Sequence, residues 1–337
     1  MATGRGRAPA VYSRRRFLRT SAAVAGGTLL STCGLDVQPV RSATLPDTPW
    51  STHPGTVTSL KEEAAYLNDL NAATDRLRIV TLGGSSQGRA IRAVIVGPPR
   101  TRNQVRAANN CMILGSHHGD EWAGREAIFQ HMRNHAGGRG TETIVYLTTV
   151  SPDSVALGSR NLPSGFDPNR QWSPSGVDRQ TDGGAYVPEQ QCVRQAILLY
   201  RPRIVVDTHE YTSTSNTYRF DPGTRNASGT PQAVIDVDKA VLTAMKNAAT
   251  AAGYTEVTYG GPIPADGATQ AFKSGGIPAV FTESPQQAAR GLSLRRAQQL
   301  NSLNAFQRYV RGNGALLASV AASATWYSGF TPSVTDP

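Results

Sequence analysis

The stretch Cys111-Met112-Ile113-Leu114-Gly115-Ser116-His117-His118-Gly119-Asp120-Glu121 opens with apolar residues, stops at a glycine and passes into a polar, charged turn. Such an apolar run halted by glycine predicts a strand. Directly behind it, Trp122–Met132 spaces its apolar side chains as a helix does. Strand, polar turn and helix in that order are the repeating unit of an α/β sheet.

Working outward, the same alternation continues. Ser59 to Leu70 has helical spacing, and Ser59 with Glu62 three residues on reads as a capping box at its start. Ile91–Val96 and Ile144–Val150 read as strands. Residues 151–188, rich in Gly, Pro, Ser and Asp, read as a long ordered loop, which in a compact domain is usually functional. Glu189–Tyr200 is predicted helical, Ile204–Val206 a strand, Ala233–Ala252 a helix, Pro278–Phe281 a last strand and Leu294–Tyr309 the closing helix. No repeat or low-complexity linker divides the chain. The expectation is a single α/β domain with a mostly parallel sheet flanked by helices, occupying residues 59–337, with residues 43–58 as an extended segment leading into it. Sites in such folds gather at the carboxyl ends of strands. Polar clusters follow Leu114, Val206 and Phe281, and a fourth lies in the long loop.

The chain has 337 residues, of which 39% are hydrophobic and 17% charged. That composition excludes a disordered, collagen-like or transmembrane-bundle protein. A formal charge of +10 would suggest nucleic acid, but residues 1–42 hold seven arginines against the single acid Asp36. The remainder carries 27 basic and 23 acidic residues, so a nucleic-acid partner is not expected. The leader itself contains Ser13-Arg14-Arg15-Arg16-Phe17-Leu18-Arg19 and then a weakly apolar run from Thr20 to Leu30. It resembles the bacterial twin-arginine signal, which implies the twin-arginine export machinery as a partner and a periplasmic or extracellular destination. The run is shorter than the ~20 apolar residues of a membrane-spanning helix. Cys33 after Leu30-Ser31-Thr32 resembles a lipoprotein processing site, although threonine is unusual before the cysteine; cleavage near Ser42 or Ala43 would release a soluble protein instead. Contact with a membrane is expected only through such an anchor. Of the two remaining cysteines, Cys111 falls in a strand-like run and Cys192 in a helix-like one, so two buried free thiols are expected.

His118 and Glu121, three residues apart, can aim an imidazole and a carboxylate at one ion from a single turn. Asp207-Thr208-His209-Glu210 closes the strand Ile204–Val206 and offers a second imidazole. Two histidines and a glutamate form a catalytic zinc set with one position left for water, and Asp207 or a backbone carbonyl could orient His209. A rival pair, His131 and His135, sits four apart on a helix but lacks the neighbouring glutamate of a His-Glu-x-x-His site, and is expected to be solvated surface. Residues 160–170, Arg-Asn-Leu-Pro-Ser-Gly-Phe-Asp-Pro-Asn-Arg, place Arg160 and Arg170 around a glycine turn, suited to carboxylates and to developing oxyanion charge. Glu283, just past an apolar strand in Phe281-Thr282-Glu283, is placed to act as a general base.

Taken in order, Gly-x-His-His-Gly-Asp-Glu, Arg-x-x-x-x-Gly-x-Asp-x-Asn-Arg, Asp-Thr-His-Glu and Phe-Thr-Glu resemble the zinc carboxypeptidase family of carboxypeptidase A over roughly residues 60–310. The resemblance implies a mixed sheet of about eight strands, one Zn²⁺ per chain held by His118, Glu121 and His209, and Glu283 as the base that activates water. It further implies Arg160 as the group that polarises the scissile carbonyl, with Asn169 and Arg170 gripping the terminal carboxylate of a peptide. The chain departs from the family in one stretch: residues 260–269, where a substrate-covering tyrosine is expected, have none, and neither Tyr254 nor Tyr259 can be assigned that place. The Asp-Thr-His-Glu form also resembles the succinylglutamate desuccinylase and aspartoacylase branch, which leaves an amide deacylase of N-acyl amino acids as the alternative activity. A zinc- or ligand-binding protein without catalysis would not need Glu283 or Arg160, and both are present.

Overall fold

A computed structural model describes residues 44–98, 101–172, 187–212, 229–253, 266–286 and 291–327, together with the backbone of 218–220 and 256–258. The arginine motif, Cys33, Tyr254, Tyr259 and residues 260–265 lie outside the described residues. The elements in chain order are α1 (Pro49–Thr52), α2 (Leu60–Ala73), β1 (Leu77–Gly84), β2 (Ala90–Val96), α3 (Arg102–Ala107), β3 (Asn110–Gly115), α4 (Trp122–Gly137), β4 (Thr143–Leu147), α5 (Pro152–Leu157), α6 (Pro188–Tyr200), β5 (Val205–Tyr211), β6 (Tyr218–Phe220), α7 (Gln232–Ala251), β7 (Glu256–Thr258), α8 (Ala268–Ser274), β8 (Ala279–Pro285), α9 (Leu292–Gly312) and α10 (Gly314–Ala321).

One mixed sheet runs through the domain in the order β1-β2-β4-β3-β5-β8-β6-β7. Six strands form its body, and the three-residue β6 and β7 add two more at one edge. The centre, β4-β3-β5-β8, is parallel throughout, while β1, β2 and β6 join antiparallel. β4, β3 and β5 are buried along their whole length and β8 at every position but Glu283, as expected when helices cover both faces. Successive residues of β3 show the alternation. Ile113 belongs to the core that holds Phe129 of α4, Met245 of α7 and Phe306 of α9, whereas Met112 and Leu114 belong to the other, with Val193 and Ile197 of α6 and Phe272 of α8. The result is a helix layer on each side of the sheet, the α/β architecture that the sequence pattern implied. Among the described residues no helix is long and apolar enough to cross a membrane.

Local chemistry explains the starts of several helices. Ser59 Oγ accepts from the Glu62 amide at 3.2 Å, and Glu62 returns a carboxylate to the Ser59 amide at 2.8 Å, closing the expected capping box. Thr101 and Gln104 do the same for α3, which the sequence reading did not predict. The segment before Ser59 is not simply extended. It holds α1, whose Trp50 is buried against Ala123 and Leu292, and Thr58 is tied to Glu126 of α4 through both its amide (2.9 Å) and its hydroxyl (2.7 Å).

Three further expectations are corrected. The strand Ile144–Val150 ends at Leu147, and the long loop that follows contains α5, started by Pro152 at its first turn and ended by Gly158 in the left-handed conformation. The pair His131 and His135 is not solvated: both rings are buried on the inner side of α4. His131 Nδ1 lies 2.9 Å from the Tyr146 hydroxyl, and Gln307 Nε2 donates to His135 Nδ1 at 2.9 Å. Burial pulls their pKa values down to about 3 and about 4. Cys111 and Cys192 are buried free thiols, as expected. They sit in the two different cores, with burial raising both pKa values.

Candidate metal centre

The chain leaves β3 at Gly115, turns at Ser116 and delivers His117, His118 and, at the N-cap of α4, Glu121. The next parallel strand, β5, delivers Asp207 and His209, and β8 places Glu283 in register with His209. Facing residues on paired strands project from the same side of a sheet, so Glu283 emerges beside His209. Two glycines permit the close approach. A Cβ at Gly119 would lie 2.0 Å from the Ser154 carbonyl group, and one at Gly124 would lie 2.2 Å from Thr208 Oγ1. The first seats the His118–Glu121 turn on α5, and the second lets α4 rest on β5 between Asp207 and His209.

His118, Glu121 and His209 converge. Glu121 Oε1 is 2.7 Å from His118 Nδ1, and Oε2 is 2.7 Å from His209 Nδ1. All three side chains are buried, and their donor atoms lie within 4.8 Å of one another. The far side of each ring is also held: His118 Nε2 lies 3.0 Å from Asp167 Oδ1, and His209 Nε2 lies 2.9 Å from Asp207 Oδ2. A proton on each Nε2 then leaves both Nδ1 lone pairs turned toward Glu121. Two imidazole nitrogens and a carboxylate oxygen, each imidazole backed by a carboxylate, fit the donor chemistry of a zinc ion.

The electrostatics agree with a cation site. Burial alone would pull the histidines down, but Glu121 and Asp167 around His118, and Asp207 and Glu121 around His209, outweigh it and raise both. Burial would push Glu121 up, but the two imidazoles outweigh that and hold it well below the usual carboxylate range. Asp167 and Asp207 are depressed in the same way by their histidines. A field that favours an imidazolium favours a divalent ion in the same place.

The other expected residues flank this group. Arg160, half exposed, sets Nη1 3.2 Å from Glu121 Oε1 and Nε 3.0 Å from Asp167 Oδ2. Asn169 is fixed by the Ala268 amide, which donates to its Oδ1 at 2.9 Å, and its Nδ2 lies 3.2 Å from His209 Nε2. Arg170 turns Nη1 to the Asn169 carbonyl at 2.8 Å. Glu210 faces the other way. Its carboxylate accepts from the Ala123 amide (3.0 Å), from Ser284 Oγ (3.1 Å) and from Arg295, and so caps α4 from the neighbouring strand. Burial, more than Arg295 can offset, raises its pKa. With both oxygens committed behind the site, Glu210 is not a competing base.

Two residues around the donors were given no role in the sequence reading. Asp167 lies inside the quoted Asp-Pro-Asn-Arg stretch, and the need of a ligand histidine for an acceptor behind it was the available signal. His117 showed only its adjacency to His118.

A family profile described as zinc carboxypeptidase matches residues 63–301. No curated protein sequence matches significantly. Among solved structures, carboxypeptidase A from Helicoverpa armigera superposes with a TM-score of 0.61 at 15% identity, covering 77% of this chain and 74% of that one. A metallo-carboxypeptidase from Burkholderia cenocepacia gives 0.58 at 18% identity, over 75% and 70% of the two chains. One from Pseudomonas aeruginosa, in complex with (2-guanidinoethylmercapto)succinic acid, gives 0.58 at 13% identity, over 78% and 70%. With the fold of carboxypeptidase A, a profile match over well more than half its length and this buried donor set, the chain belongs to the zinc carboxypeptidase family.

Proposed function

We propose that the protein is an exported metallocarboxypeptidase that removes the C-terminal residue of a peptide. The observation that carries this reading is the buried His118–Glu121–His209 group, backed by Asp167 and Asp207, with Glu283 in register beside it. These three residues would hold one zinc ion per chain. When bound, zinc lowers the pKa of a water molecule and polarises a carbonyl.

The chain's own residues supply the rest. Glu283 takes the proton of the attacking water and returns it to the leaving amine. Arg160, lying at Glu121 and half open to solvent, meets the negative charge that develops on the carbonyl oxygen. Asn169 and Arg170 receive the terminal carboxylate; Arg170 presents the fork suited to it. The Pseudomonas aeruginosa relative carries a substituted succinic acid, a carboxylate-bearing occupant of the kind this pair suits.

Metal analysis together with a substrate panel tests the reading. About one zinc per chain is expected, with cleavage of a peptide bearing a free C-terminus and none of the same peptide amidated. Cleavage of N-acyl amino acids in preference to peptides would assign the deacylase activity instead. For export, Arg14 and Arg15 support the twin-arginine route; replacing both by lysine should retain the precursor in the cytoplasm, as followed by cell fractionation. Continued export of that variant would point to another pathway. Comparison of lipid labelling in the parent and in Cys33→Ala decides whether Cys33 carries an anchor.

A further inference from the structure

One buried imidazole beside the donor set has no part in the chemistry above. His117 is fully buried, and the chain reaches it through Ser116, whose φ of 49° is left-handed, a conformation unfavourable for a residue with a side chain. Its Nδ1 lies 3.0 Å from Asp207 Oδ1, while the other oxygen of Asp207 faces His209 Nε2. The ring stacks on His209 at 5.7 Å between centroids and 10° between planes, and it meets Trp172 edge-on at 6.0 Å. Its Nε2 is buried without a hydrogen-bond partner among the described residues. An apolar side chain would fill that space without stranding a polar atom. What the imidazole adds is the Nδ1–H donated to Asp207.

We infer that His117 is a positioning residue for the metal, pinning Asp207 so that Asp207 holds His209 with Nδ1 turned to Glu121. The inference rests on the assignment of His118, Glu121 and His209 as ligands. A carboxylate held through one oxygen can swing about its Cβ–Cγ bond, and a second donor on the other oxygen removes that freedom. Only one tautomer of His209 offers a lone pair at Nδ1, and the acceptor behind Nε2 selects it. His117, Asp207 and His209 also lie close enough together to be read as a donor group of their own. In the relay, however, both nitrogens facing Asp207 carry protons, so no second ion is expected there.

The test is zinc affinity of the full chain, freed of metal and titrated against a chromophoric chelator. His117→Phe keeps an aromatic ring to stack, though a larger one, and loses the donor. His117→Asn puts an amide N–H close to where Nδ1 was. The phenylalanine variant should bind zinc about 10–100-fold more weakly, and the asparagine variant should stay within a few-fold of the parent. If the phenylalanine variant fails to fold, His117→Gln replaces it, its amide lying where Nε2 was and out of reach of Asp207; the same weakening is expected.

Parent-like affinity in the variants lacking the donor would overturn the inference, as would equal weakening in the asparagine variant or a second zinc in the parent. His118→Ala, run alongside, separates the two levels. Loss of zinc there with parent-like affinity in His117→Phe removes only the role of His117. Full zinc affinity in His118→Ala removes the ligand assignment and this inference with it.

Discussion

A carboxylate has two oxygens, and Glu121 divides them. Oε1 meets His118 and Arg160, and Oε2 meets His209 and the amide of Glu210. Glu283 has a different setting, half-buried on the neighbouring strand. The two glutamates should therefore respond differently to loss of charge. Glu283→Gln should keep its zinc and its substrate affinity while kcat falls by about 10²–10⁴-fold, the usual cost of losing a general base; metal analysis and steady-state kinetics on the same sample check it. Near-normal kcat with zinc in place would remove Glu283 from the chemistry, and loss of zinc would make it a ligand. The residues of the donor set were legible in the sequence because few side chains bind a metal and fewer fall at strand ends. Roles defined by neighbours were not legible. The run Asp-Thr-His-Glu left Asp207 and a backbone carbonyl as alternatives behind His209, of which the structure selects Asp207, and nothing in it says that Glu210 turns to Arg295. His131 and His135 were misread for a related reason: polarity is visible in a sequence, and the hydrogen-bonded burial that tolerates it is not.

At the scale of elements, the site depends on how closely α4 approaches β5. Gly124 sets that distance, because a methyl group there would fall 2.2 Å from Thr208 Oγ1 and 2.6 Å from its Cβ. Gly124→Ala should cost about 1–3 kcal/mol of stability by overpacking. It should also weaken zinc binding, since Glu121 rides on α4 and His209 on β5. Denaturant unfolding and a zinc titration would show both effects together; parent-like values for both would mean that the helix shifts without strain. The boundaries of β5 show where pattern reading stops. Its first apolar run ends at Val206, yet the strand continues to Tyr211, because Asp207 and His209 bond within the donor group, Thr208 Oγ1 donates to the Leu114 carbonyl of β3 and Glu210 caps α4. β1 went unread because Arg78, Thr81 and two glycines break its alternation, and its register shifts between Thr81 and Gly83.

For the whole molecule, the buried histidines of α4 predict acid sensitivity. Their folded pKa values, about 3 for His131 and about 4 for His135, lie below the ordinary 6.5. As pH falls below about 6.5, the unfolded chain takes up protons that the fold refuses, so stability is lost, with the loss continuing to about pH 4 for His135 and about pH 3 for His131. The slope is about 1.4 kcal/mol per pH unit for each histidine within its window. Thermal unfolding of zinc-free protein between pH 7 and 4 should show this decline, and His131→Leu should make it shallower by about one proton. An unchanged slope would mean that other groups dominate.

Glu121 and His209 stand 88 residues apart in the chain and meet only once β5 has paired with β3. Parallel pairing over such a separation closes a large loop before any contact rewards it, and it forms slowly. Two of the three donors therefore stand together as soon as the β3 turn is made, but the complete set does not exist until the centre of the sheet is built. Metal capture is thus timed by the topology. In a refolding experiment zinc should be taken up with the phase that buries the sheet, after the local helices have formed, and an ion bound earlier would be held by His118 and Glu121 alone, weakly enough to exchange.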